Sequence, residues 1–231
     1  MAKISMQRRL QAFPGILMLA TILALPAYAQ FPTVNELTSA GNFQHAGDGP
    51  STLQKGTSEF GLWAGGSFNS PTLIGTAEDR KYFTIGLRYG RVFATSKIVA
   101  YEYTIDFVPV AVVFQPDFAR AFSGPSASAV YGVGLSPVGF KVNFNRSGRF
   151  KPFLSTSGGF LYFKDPVPND VPGATKFNWT FDFGGGVHIS SGARRAVILG
   201  YKFQHISNGD RSQVNPGFDA NVIYVGYSFF R

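Results

Sequence analysis

The chain has 231 residues, 21 of them basic and 13 acidic, for a formal net charge of +8, and it contains no cysteine. That excludes a disulfide framework and any thiolate metal site. It also lacks the Lys/Arg runs that track nucleic acid, while 24 Phe, 10 Tyr and 27 Gly spread over short alternating segments point to an all-β protein.

The first segment reads as an export signal. Lys3, Arg8 and Arg9 form a basic start, Ala12 to Leu25 is mostly apolar, and Ala27-Tyr28-Ala29 offers small residues at the two positions a signal peptidase reads. Residues 1–29 are therefore expected to be removed, with Gln30 as the mature start and three positive charges lost, leaving +5. A slightly positive exported protein suits an anionic lipid surface. Residues 30–56 are polar, rich in Ser, Thr, Gly and Asn, and show no sustained period; they are expected to form a periplasmic arm in which His45 is a solvated loop residue.

From residue 57 to 231 the pattern is regular. Candidate strands fall near 58–68, 82–94, 98–112, 129–145, 151–163, 176–190, 195–207 and 219–230. In the sixth, Phe177, Trp179, Phe181, Phe183, Val187 and Ile189 alternate with Asn178, Thr180, Asp182 and His188. Phe83, Ile85, Leu87 and Tyr89 in the second strand, and Tyr101, Tyr103, Ile105 and Phe107 in the third, alternate with polar residues and glycine in the same way. Period two marks a sheet with one apolar face.

Alternation alone does not say which face looks outward. An apolar row this aromatic, a polar row rich in Gly, and strands longer than the soluble norm of roughly 5–6 residues favour a membrane barrel. Connections near 69–81, 113–128, 164–175 and 208–218 are long, whereas those near 95–97, 146–150 and 191–194 are short. Long outer loops alternating with short periplasmic turns are the habit of such barrels. The expected fold is an eight-stranded antiparallel transmembrane β-barrel in the bacterial outer membrane, preceded by a signal peptide. Arg88, Glu102, Asp106, Lys141, Asp182, His188 and Lys202 share the polar parity and are expected to close the lumen as an ion-pair and hydrogen-bond network.

The chemistry is concentrated in the last hairpin. Strand seven carries Val197, Leu199, Tyr201 and Phe203 on one face, and His205 and Ser207 continue that series; Asp219 shares the parity of Ile223, Val225, Tyr227 and Phe229 on strand eight. A base, a nucleophile and a carboxylate thus project towards lipid at the loop end of adjacent strands. Serine needs a base to take its proton, imidazole suits that task near neutral pH, and a carboxylate fixes the imidazole tautomer. Asn208 is placed to donate a side-chain hydrogen bond to an oxyanion, and the backbone around Gly209 to do the same. Asn215-Pro216-Gly217 is a turn that delivers Asp219.

The pattern His205-Ile206-Ser207-Asn208 followed by Asn215-Pro216-Gly217-Phe218-Asp219 resembles that of the PagL-type lipid A 3-O-deacylases, outer-membrane barrels of eight strands. In that family the catalytic His and Ser are separated by one residue, an Asn follows, and a second Asn precedes the acidic member by four positions. The close match covers about the last thirty residues. One departure stands out: the family's acidic residue is typically Glu, and here it is Asp219, one methylene shorter. The resemblance implies hydrolysis of the ester-linked 3-hydroxyacyl chain at position 3 of lipid A, with Ser207 as nucleophile, His205 as base and then acid, Asp219 as its orienting partner, and Asn208, Gly209 and Asn215 in support. It implies no metal and no cofactor. The partners it implies are lipopolysaccharide in the outer leaflet and the membrane itself, not nucleic acid; a homodimer is left open. The alternatives are a structural or adhesive barrel with a degenerate site, and a soluble secreted barrel that binds a small lipid inside.

Overall fold

A computed structural model describes residues 52–115, 129–169 and 171–231. The expected signal peptide, and the arm as far as residue 51 with His45, lie outside the described residues. Eight strands follow in chain order: β1 (Ser58–Ser67), β2 (Lys81–Thr95), β3 (Val99–Phe114), β4 (Ala129–Phe144), β5 (Phe150–Val167), β6 (Thr175–Ser190), β7 (Arg195–Ser207) and β8 (Phe218–Phe230). Each pairs antiparallel with the next, and β1 pairs with β8 to close the barrel.

The polarity of the two faces is that of a barrel bathed in lipid. Leu62, Phe83, Phe107, Tyr131, Phe183 and Ile223 are all exposed on the outer wall. The charged residues are inside, with Lys141 at 0%, Glu59 and Glu102 at 1% and Asp106 at 3% exposure. A soluble barrel requires the reverse, because charge removed from water is costly unless it is paired. Here it is paired. Arg88 grips Asp106 with two parallel hydrogen bonds, from Nε at 2.8 Å and Nη2 at 2.7 Å. Lys141 bridges Glu59 and Glu102, the latter at 3.0 Å. Lys202 meets Asp182 at 2.9 Å and lies 4.5 Å from the Trp63 ring centre. The expected lumenal network is thus present, with Glu59 as an additional member. His188 shares that interior but sits between the Phe153 and Phe230 rings, at 4.9 and 5.7 Å, with neither ring nitrogen hydrogen-bonded among the described residues.

At the end of the barrel that carries the short turns, Leu53 packs with Val92, Ala100, Ala196 and Phe230. Its N–H donates to the Arg146 carbonyl at 2.9 Å, and Arg146 Nη1 donates back to the Leu53 carbonyl at 3.1 Å.

Two strands outrun their expected ends. β3 continues to Phe114 and β5 to Val167. Pro109 and Pro166, within these strands, give no N–H to a ladder. Both fall where the pairing is shifted, between Val108 and Ala111 and between Tyr162 and Val167, so neither interrupts a regular ladder.

Candidate active site

The candidate residues meet where β7 and β8 approach the outer loops. His205 and Asp219 are direct cross-strand partners, a relation that places their Cβ atoms roughly 4.5–5.5 Å apart. Both lie on the outer face: the His205 ring is 5.4 Å from that of Phe181, which is 40% exposed on the lipid side. His205 Nδ1 is 2.6 Å from Asp219 Oδ1. The direct opposition lets the shorter carboxylate reach the imidazole.

Asp219 is held from the other side as well. Its Oδ2 accepts backbone N–H groups from Leu73 at 2.9 Å, Ile74 at 2.8 Å and Gly75 at 3.0 Å. These residues belong to the loop joining β1 and β2, which lies over the outer wall and leaves Asp219 0% exposed. The loop is stitched to the β7–β8 connection, since Thr76 and Ala77 donate to the Gly217 carbonyl at 2.8 and 3.2 Å. Sequence reasoning missed this loop. Backbone N–H groups carry no residue signature, so Ser70 to Arg80 reads only as an ordinary outer connection.

Ser207 follows on the same face, opposite Trp179 of β6. Both His205 and Ser207 are buried, at 8% and 7% exposure. No hydrogen bond joins the Ser207 hydroxyl to the imidazole among the described residues. Gly217 packs against both: a Cβ there would lie 2.7 Å from Ser207 Cβ and 3.1 Å from His205 Cε1. Only a residue without a side chain lets the turn pass so close.

Asn208 has a different task from the one its sequence position suggests. Its Nδ2 donates to the Gly173 carbonyl at 2.9 Å and to the Val214 carbonyl at 2.8 Å, so both amide protons are taken. The expected side-chain donation to an oxyanion is corrected on that ground: Asn208 clamps the β5–β6 and β7–β8 loops together. Asn215 Oδ1 accepts the Asn208 N–H at 3.2 Å and ties the two ends of the last loop. Gly209 and Asp210 follow at φ 62° and 58°, a left-handed pair that reverses the chain directly after the serine.

A closed eight-stranded barrel, aromatic outside and ionic inside, is an integral outer-membrane protein. Residues 110–228 match the family described as Lipid A 3-O-deacylase (PagL). The chain belongs to that family. Among solved structures it is similar to the crystal structure of the outer membrane enzyme PagL, with a TM-score of 0.55 and 15% identity over 73% of this chain and 97% of that one. It is also similar to Neisserial surface protein A (NspA), with a TM-score of 0.47 and 10% identity over 75% and 96% of the two chains. A further similarity is to the outer membrane protein OprG from Pseudomonas aeruginosa, with a TM-score of 0.43 and 9% identity over 78% and 98%. No curated protein matches the sequence.

Proposed function

We propose that the protein is a lipid A deacylase that hydrolyses the ester holding the 3-hydroxyacyl chain at position 3, by a Ser-His-Asp mechanism. The single observation that carries this reading is Asp219, fixed by three backbone donors and hydrogen-bonded to His205 at 2.6 Å, with Ser207 two residues further along the same outward face.

Asp219 accepts the Nδ1 proton of His205, which leaves Nε2 as the base. As the Ser207 hydroxyl oxygen attacks the ester carbonyl, its proton passes to Nε2 and the carbonyl electrons move onto oxygen. The backbone N–H groups at the Gly209 turn are the donors assigned to that oxyanion, because the Asn208 amide protons are committed elsewhere. Collapse breaks the bond to the sugar oxygen, which leaves with the proton from His205. Water, deprotonated by the same imidazole, then adds to the acyl carbonyl, and the bond to Ser207 Oγ breaks as that oxygen takes the proton back, freeing a 3-hydroxy fatty acid. A site on the outer wall needs no internal pocket, since substrate arrives by lateral diffusion in the outer leaflet.

The test is a mass spectrum of lipid A from cells making the protein. The intact enzyme removes one hydroxyacyl mass and Ser207→Ala does not. An unchanged spectrum from folded native protein leaves a structural barrel as the reading.

A further inference from the structure

The proposed site is closed on one flank and open on the other. Towards β8 and β1, the Leu73–Gly75 backbone covers Asp219. Towards β6, Ser207 adjoins Trp179, which is 49% exposed on the outer face. The open flank is therefore the one over β6 and β5.

That flank is built as a shelf with a cation above it. Trp179 meets Phe177 edge to face at 5.1 Å, and Phe177 stacks on Phe160 of β5 at 5.5 Å with ring planes 18° apart. The outer face continues across β5 to a shallow apolar groove lined by Pro109, Tyr131, Val133 and Tyr162. Arg211, in the loop that follows Ser207, lies 4.9 Å from the Phe177 ring centre. The ring steers the guanidinium over the shelf without neutralising it. Arg211 is exposed, and among the described residues it forms no ion pair, although Asp210 precedes it in the chain.

Resting on the deacylase reading, we propose that Arg211 is the phosphate-recognition residue of the site. It holds a phosphate of the glycolipid headgroup while the remaining acyl chains lie on the Trp179–Phe177–Phe160 shelf. Lipid A combines the two features this surface matches, hydrocarbon chains and phosphate on one sugar backbone. A guanidinium can donate two parallel hydrogen bonds to phosphate, and its position one loop turn from Ser207 orients the sugar ester over the nucleophile.

The experiment separates binding from turnover by using the full chain in detergent micelles with two probes, bisphosphorylated lipid A and its enzymatically dephosphorylated derivative. In a Ser207→Ala background, the protein binds the phosphorylated probe about tenfold more tightly. Adding Arg211→Gln brings the two Kd values together, and Arg211→Lys restores part of the gap. With active protein, Arg211→Gln raises KM for the phosphorylated substrate much more than it lowers kcat. A binding preference that survives Arg211→Gln, or that is absent from the Ser207→Ala protein, overturns the assignment. Failure of the native chain to hydrolyse either lipid overturns the deacylase reading instead, whatever the binding data show.

Discussion

Both carboxylate oxygens of Asp219 are engaged. One oxygen faces His205 and the other accepts three N–H groups. Replacing it with Asn puts an NH2 group where one of those acceptors stood, so either the imidazole or the loop loses its partner. Asp219→Asn is expected to lower kcat by about 10⁴-fold while the barrel still shows its heat-dependent shift on a gel; near-native turnover removes Asp219 from the mechanism. The neighbouring Asn208 shows that chemical type and position do not fix a role: an amide beside the nucleophile has both protons committed to loop carbonyls.

Strands were more legible than loops, for a physical reason. Side-chain alternation records which wall a residue faces, so β7 (Arg195–Ser207) matches its expected span and β1 (Ser58–Ser67) differs by one residue. The far ends of β3 and β5 lie two and four residues beyond their expected ends, at Phe114 and Val167, where register shifts interrupt the alternation that marks a wall. The His205–Ser207–Asp219 grouping could be placed on one face by parity, but what holds Asp219 could not, since its donors are backbone atoms 144 to 146 residues away in the chain. Contact between the first and last outer loops can be tested at Gly75. A Cβ there would sit 2.5 Å from the Gly217 carbonyl oxygen. Gly75→Ala pushes the two loops apart and loosens the donors on Asp219, with deacylation expected to fall at least about tenfold while the gel shift is kept. Unchanged activity means that the loop is not needed to position the carboxylate.

Across the whole molecule, stability and chemistry occupy opposite sides of one wall. The lumen is filled by ion pairs and aromatic rings, and Lys141 serves two buried carboxylates at once. Lys141→Met leaves Glu59 and Glu102 facing each other without a cation, at a cost of about 3–5 kcal/mol. In vesicles this is read as an earlier urea unfolding midpoint, and an unmoved midpoint shows the pair to be dispensable. The donors to Asp219 come from the N-terminal hairpin, whereas the carboxylate itself stands on the final strand, and the two meet only across the β1–β8 seam. On the proposed mechanism, a chain still in transit to its membrane carries a dismantled catalyst. Closing that seam completes the carboxylate's cradle, so on this mechanism assembly of the barrel and assembly of the site are one event.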